Sequence, residues 1–285
     1  MVMLHLFRNY SSGDIIVAHF DHGIRENSAL DAEFVRQKAL EYGCKFYLGQ
    51  AKLGNHASEA TARKSRYNFL RKLARELGDN GQPAKILTAH HLDDLAETMA
   101  INLIRGTGWR GLAGLDTTGI LRPFLEPDFF AQVQPGQTIW NKHDILRYAG
   151  EYQIRFREDQ SNSSDEYLRN RIRHQMNNLV DLERIYQLWQ RQKSLKKMID
   201  EVVSDLIPEA DSEWQRSWFK QLDDDIPSHQ VALELLRAGT LRADIATTRP
   251  QLEDLRQAIL NYAPGKSFNL PGDRLLRLDK HSFKL

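Results

Sequence analysis

Short apolar runs alternate with amphipathic stretches through the first half of the chain, and this alternation restricts the fold more than any other feature. Residues 15–20 (IIVAHF), 44–48 (CKFYL) and 85–90 (KILTAH) are brief and nearly continuous in apolar character, as strands buried on both faces are. Between them lie SALDAEFVRQKALEYG, which opens with Ser28 and Asp31 like a capping box and stops at Gly43, and SEATARKSRYNFLRKLARELG, which stops at Gly78. Strands separated by helices imply right-handed crossovers, a parallel sheet flanked by helices, and ligands outside the carboxyl ends of the strands. The expected class is α/β, built on a Rossmann-like sheet.

Beyond about residue 175 the pattern changes to long helical stretches, LVDLERIYQLWQRQKSLKKMIDEVVSDL, WQRSWFKQL and ALELLRAGTL. A mainly helical second domain over 176–285 is expected after a first domain over 1–175, and 285 residues suffice for two cores. It closes on KSFNLPGDRLLRLDKHSFKL, where Pro271 and Gly272 separate two alternating runs and predict a terminal hairpin. Lys and Arg number 39 against 38 Asp and Glu, so a nucleic-acid surface must come from local clustering rather than bulk charge. The single cysteine, Cys44, excludes an internal disulfide, a metal knuckle and a sulfur relay, and fits a reducing cytoplasm. MVMLHLFRNY lacks a cleavage-site pattern, and no run approaches the ~18 apolar residues of a membrane span. The chain is expected to be soluble and cytoplasmic.

The stretch AHHLDDLAET, residues 89–98, follows the third strand, where this architecture places ligands. At about 100° per residue along HHLDDLAETMAINLI, Leu92, Leu95, Ala96, Met99 and Leu103 share one face, and His90, Asp94 and Glu97 share the opposite one. A solvated face is one reading. Stacked carboxylates repel, however, unless a cation or hydrogen bonds compensate, which points to a cationic substrate or a metal. The spacing matches no zinc signature, so no metal site is assigned.

Directly afterwards RGTGWRGLAGL sets Arg105 and Arg110 among four glycines. Backbone amides freed by Gly106 and Gly108 suit a phosphate, and the same pattern equally suits a helix C-cap and loop. EATARKSRYNFLRK bunches Arg63, Lys64, Arg66, Arg71 and Lys72, with Glu59 and Arg63 spaced as an i,i+4 pair. EDQSNSSDEYLRNRIRH carries Arg169, Arg171, Arg173 and His174 in alternation with Asn170 and Ile172, which suits phosphate contacts on a duplex or nucleotide.

In order and approximate spacing, HFDHGIRENSALDAEFV, EATARKSRYNFL, AHHLDDLAETMAINLIRGTGWRGLAGL, ILRPFL and EDQSNSSDEYLRNRIR resemble the tRNA(Ile)-lysidine synthetases of the N-type ATP pyrophosphatase, or PP-loop, superfamily. The resemblance is strong over roughly 1–175 and weak beyond. It implies an adenine nucleotide alpha hydrolase-like sheet and a ligase chemistry. ATP, with Mg2+, adenylates O2 of the wobble cytidine of tRNA(Ile) with a CAU anticodon; free lysine then attacks the activated carbon and AMP leaves. In those roles Asp94 and Glu97 bind the lysine ammonium and help remove its proton, and His90 sits beside the nucleotide. Arg63, Arg105, Gly106 and Gly108 are the implied ATP or phosphate contacts, and Arg169, Arg171 and Arg173 the implied tRNA contacts. The resemblance admits a homodimer and involves no membrane.

The sequence departs from the family pattern in three places. The phosphate loop Ser-Gly-Gly-x-Asp-Ser and the strand before it are expected upstream of an apolar helix like MVMLHLF, and this sequence starts at that helix. The expectation is that Met1 is an internal methionine of a longer protein and that the 285 residues alone lack ligase activity. The chain stops at the hairpin where longer relatives add a small domain. EPDFFAQVQPGQTIWNK, residues 126–142, has no role that its sequence reveals. Two further readings stand beside the first: a non-catalytic tRNA-binding remnant, and a PP-loop ligase with another substrate.

Overall fold

The computed structural model describes residues 1–285 apart from 12, 24–27, 52–53, 55–58, 128, 131–138, 158–167, 177–179, 210–211 and 223–224. In chain order the elements are α1 (Val2–Tyr10), β1 (Ile16–Asp21), α2 (Ser28–Glu41), β2 (Lys45–Gln50), α3 (Glu59–Glu76), β3 (Ile86–Leu87), α4 (Leu92–Ile104), β4 (Ile120–Leu121), α5 (Lys142–Glu151) and α6 (Leu168–Met176). Then come α7 (Leu182–Leu206), β5 (Trp214–Gln215), α8 (Arg216–Gln221), α9 (Ile226–Arg242), α10 (Arg249–Asn261), β6 (Ser267–Leu270), β7 (Arg274–Arg277) and β8 (Ser282–Phe283). Two compact units result: Met1–Gly106 with Gly114–Trp189, and Thr107–Ala113 with Gln190–Leu285. The second unit thus takes a short segment from within the first half of the chain, and the division falls after the change of pattern near 175. Among the described residues no helix is long and apolar enough to cross a membrane.

In the first unit β1 pairs parallel with β2, from Ile16 opposite Lys45 to Asp21 opposite Gln50, and β3 pairs parallel with β4. Parallel neighbours need a crossover, which α2 provides for the first pair. The left-handed Gly43 (φ +64°) ends α2: Cys44 N–H donates to Ala39 and Gly43 N–H to Leu40, the paired bonds of a Schellman cap. Gly49 lets α3 close on the sheet, since a Cβ there would lie 2.7 Å from Phe20 and Phe69. Helix α1 is buried on two sides. Val2 and Leu6, one turn apart, join Phe124, Phe130, Trp140 and Tyr148, whereas Leu4 meets Ala39 and Cys44.

The second unit has its own core, in which Trp214, Phe219, Leu236, Leu255, Leu278 and Phe283 pack together. Asp225 caps α9 by accepting from Ser228 N–H at 2.7 Å. Buried Arg216 donates to the carbonyls of Ile259, Tyr262 and Asp279 at 2.8, 2.8 and 3.0 Å, tying α8 to the end of α10 and to the chain after β7. Strands β6 and β7 pair antiparallel about Pro271 and Gly272. Arg242 donates to the carbonyls of Ser204 and Ile207 and so satisfies the C-terminal end of α7.

Two local features differ from the sequence reading. The apolar run at 85–90 forms strand only at Ile86–Leu87, and its partner β4, two residues long, carries too little pattern to be recognised in advance. Helix α4 begins at Leu92, so His90 precedes it rather than sharing its face; Leu103 of the expected core face is 59% exposed, and Ile101 is buried instead. The cause is α6, which packs on α4 and covers its second side.

Candidate active site

The site grows from the carboxyl ends of β3 and β4. Thr88 N–H donates to Leu121 carbonyl at 3.0 Å, extending the parallel ladder by one bond before the chain turns into α4. Thr88 Oγ1 then lies 2.9 Å from His90 Nδ1, which fixes the ring and leaves Nε2 as the nitrogen able to meet a ligand. Burial drives the His90 pKa down to about 4; Asp94 opposes this, and Arg122, Arg63 and Arg66 add to it. The ring is neutral at pH 7.

His91 is built the opposite way. Its N–H donates to Asp94 Oδ2 at 3.1 Å, its Nδ1 lies 3.1 Å from Asp93 Oδ2, and its Nε2 lies 3.4 Å from Asp94 Oδ2. Burial disfavours its charge, but the Asp93 hydrogen bond and the carboxylates of Asp94, Asp93 and Glu97 outweigh burial and raise its pKa. Asp93 also accepts from Lys142 N–H at 2.7 Å, and Leu92 N–H donates to Trp140 carbonyl, so the starts of α4 and α5 are tied together. Burial pushes the Asp93 carboxyl up, yet His91 and the Lys142 amide hold it below the ordinary carboxylate range. Adjacent histidines therefore differ in charge preference because burial and nearby guanidinium groups disfavour charge on one, whereas carboxylates surround the other.

Glu97 is only 2% exposed, and α6 supplies its counter-ions. Arg173 grips it with Nε to Oε1 at 2.6 Å and Nη2 to Oε2 at 3.2 Å, and Arg169 Nε lies 3.5 Å from Oε2. Arg169 and Arg173, four residues apart, share the side of α6 that faces α4, whereas Arg171 is exposed. The structure thus joins two groups of residues that the sequence reading kept apart, the acids of α4 and the arginines of α6.

Cationic residues gather next to His90. Arg63, Arg66 and Arg71 surround the Tyr67 ring at 5.1, 5.3 and 5.8 Å from its centroid. Arg122, 4% exposed, donates to Ile120 carbonyl and Thr117 Oγ1 at 3.3 and 3.4 Å. Its Nε and the Tyr67 hydroxyl are buried, and among the described residues Tyr67 and the Arg122 side chain itself are each other's polar neighbours. Burial lowers the Arg122 pKa, which Tyr67 and Asp116 oppose. Buried donors beside converging guanidinium groups are an arrangement that an anion completes. Of this group the sequence reading assigned only Arg63 a ligand role; the arginine and tyrosine spacing on α3 was visible, but Arg122 in ILRPFL carried no signal of its own.

The glycine-rich segment is divided between the two units. Arg105 caps the C-terminal end of α4 and Gly106 follows at φ +66°, about 20 Å along the helix from its first turn. Gly108 (φ +69°) belongs to the second unit, where a Cβ would lie 2.5 Å from Arg249. Arg110 pairs with Asp200 at 2.8 Å and Glu234 at 2.6 Å in that unit, so both carboxylates compete with any phosphate there. The 158–167 part of EDQSNSSDEY, the Ile24–Asn27 part of the first motif, most of the 126–142 stretch and the Glu59 side chain lie outside the described residues.

The first unit thus sets a buried histidine, converging arginines and the buried Glu97 beside the carboxyl ends of its parallel strands. Residues 1–180 match the PP-loop domain model, and the chain belongs to that family. It is 31% identical over 229 residues to the tRNA(Ile)-lysidine synthase of Enterococcus faecalis, covering 76% of this chain and 47% of that protein. It is 30% identical over 225 residues to the enzyme of the same name from Thermotoga maritima, covering 73% and 50%. The chain spans about half the length of these curated relatives. The U34-tRNA thiolase NcsA from Methanococcus maripaludis aligns at 16% identity over 68% of this chain and 67% of its own, with a TM-score of 0.48, too low to carry an argument.

Proposed function

We propose that this chain is the catalytic part of an ATP-dependent ligase that joins lysine to the wobble cytidine of tRNA(Ile), through an adenylated cytidine, to give lysidine. The observation that carries the reading is the juxtaposition of an anion-seeking cluster, Arg63, Arg66, Arg122 and neutral His90, with the carboxylates of Asp94 and Glu97. The reaction needs both. Cytidine O2 attacks the α-phosphorus of ATP and pyrophosphate leaves; the lysine amine then attacks C2 and AMP leaves. Arg63 and Arg122 hold phosphoryl oxygens, and His90 presents Nε2 to the nucleotide or the activated base. Asp94 takes the lysine ammonium and helps accept its proton, and Glu97 joins it only by sharing or releasing Arg173.

The reading includes tRNA(Ile) with a CAU anticodon, free lysine and ATP as substrates, and a homodimer. Arg171 on the exposed side of α6 meets tRNA backbone, and Arg169 and Arg173 do so after leaving Glu97. Arg105, Gly106 and Gly108 remain proposed phosphate contacts, for ATP or for tRNA. The described residues do not by themselves fit Mg2+: no three His, Cys, Asp or Glu side chains come together as ligands, and Asp93 and Asp94 are used by His91. Nucleoside triphosphates carry Mg2+ on their own oxygens.

Mass spectrometry of nuclease digests after incubation of this tRNA with ATP and isotope-labelled lysine tests the reading, using the chain and a longer version that carries the phosphate-loop segment of a relative ahead of Met1. Labelled lysine joined to cytidine, lost in Asp94→Asn, is expected of the longer version. ATP-dependent incorporation of another nucleophile, or no modification by either version, would overturn it.

A further inference from the structure

Two groups beside Asp94 have no task in the reaction so far. Asp93 Oδ2 lies 3.1 Å from His91 Nδ1 and also accepts from Lys142 N–H at 2.7 Å, which anchors the carboxylate. An anchored carboxylate accepts the Nδ1 proton of a neutral imidazole and leaves the lone pair on Nε2. That nitrogen lies 3.4 Å from Asp94 Oδ2, longer than an ordinary N–H···O bond. The side chain is 17% exposed, so a ligand on Asp94 can reach the ring. A carboxylate, an Nδ1 proton and an available Nε2 are the parts of a general base.

Lysine arrives as an ammonium, and its nitrogen has no lone pair to attack with until a proton leaves. Carboxylates bind an ammonium well and deprotonate it poorly, being ~6.5 pK units less basic than the amine, whereas imidazole is only ~4 units less basic. Burial works against charge on the His91 ring, but Asp93, Asp94 and Glu97 outweigh it and make the ring more basic than an ordinary histidine. From α6 the facing cation is Arg173, which also feels Asp94 and Asp93; from α5 the Lys142 amide reaches Asp93. We propose that His91, oriented by Asp93, is the general base that takes the proton from the lysine ammonium held on Asp94.

This role rests on the ligase reading and on Asp94 as the lysine carboxylate. One proton passes from the ammonium to His91 Nε2, and the freed nitrogen lone pair forms the bond to C2. The C2–O2 bond breaks and its electron pair leaves with AMP. The nitrogen, once bound to C2, sheds its second proton to water, and His91 releases its own to water before the next turnover. Asp93 acts through the ring and is a positioning residue. With the ring proton on Nε2 instead, His91 would present a donor to the ammonium and could take nothing from it.

Lysine transfer and pyrophosphate release are measured side by side in the longer version, with circular dichroism to show that each variant folds. His91→Gln is expected to keep ATP-dependent pyrophosphate release and to lose lysine transfer about a hundredfold or more. The loss is expected to be smaller with S-(2-aminoethyl)cysteine, a lysine analogue with a less basic amine. The wild-type transfer rate falls as pH drops through the folded pKa of His91, and this inflection disappears in His91→Gln. In 15N NMR spectra of the 285-residue chain the neutral ring carries its proton on Nδ1, and Asp93→Asn moves it to Nε2, which a merely structural contact would not do. Transfer by His91→Gln at the wild-type rate overturns the proposal, as does a neutral wild-type ring protonated on Nε2, or a folded His91→Gln that loses pyrophosphate release to the same extent as transfer. No lysine transfer by wild type overturns the ligase reading, and this role with it.

Discussion

The two adjacent histidines give the fold an acid sensitivity of predictable sign. His90 titrates at about 4 in the folded chain against an ordinary value of 6.5, because burial and the guanidinium groups of Arg122, Arg63 and Arg66 outweigh the attraction of Asp94. Between those two values the unfolded chain binds a proton that the folded chain refuses, so stability falls as pH drops through this window and the loss is complete below about 4. The gap of about 2.5 units at 1.36 kcal/mol each gives about 3 kcal/mol, which residual solvent contact reduces to about 2. His91 acts with the opposite sign: its raised pKa stabilises the fold below 6.5, and that contribution fades as pH rises through the folded value. Urea unfolding at stepped pH separates them. His90→Gln is expected to remove the acid-side loss of about 2 kcal/mol, whereas His91→Gln is expected to remove the gain in stability as pH falls toward 6.5 and to leave the slope between 6.5 and 4 unchanged. An NMR titration that gave His90 a midpoint near its ordinary value, or a His90→Gln variant with an unchanged pH slope, would refute the assignment of a buried neutral ring.

Glu97→Gln leaves the guanidinium groups of Arg173 and Arg169 facing a neutral amide. Breaking a buried pair costs ~3–5 kcal/mol, but these arginines are 27 and 23% exposed and can rehydrate, so a loss of about 2 kcal/mol is expected. A double-mutant cycle with Arg173→Met checks it; no coupling would show the pair to be energetically idle. Thr88→Val removes the partner of His90 Nδ1 and is expected to yield both ring tautomers in 15N NMR spectra, while Thr88→Ser keeps one. Arg216→Met deprives the carbonyls of Ile259, Tyr262 and Asp279 of their donor, and a destabilisation of the second unit by about 3 kcal/mol is expected in chemical unfolding.

Local pattern was enough for the elements whose period repeats. The apolar runs at β1 and β2, the Gly43 stop after α2 and the hairpin around Pro271 and Gly272 are set by residues close in sequence, where strand period, glycine's access to positive φ and turn chemistry act without distant partners. After β3 the sequence shows Asp94 and Glu97 as acids on one helix that need compensation, whereas His90, expected on their face, precedes the helix. What compensates them was decided by tertiary structure. Whether Glu97 is solvated or buried depends on α6, which returns more than 70 residues later to cover α4 with Arg173 and Arg169. Arg122 acquires its place beside His90 and Tyr67 because a two-residue strand, β4, pairs with β3, and a strand so short has no readable period. The opposite charge preferences of His90 and His91 follow likewise from what each ring touches. A sequence records which groups can ionise; burial and neighbours, set by long-range packing, decide which of them do.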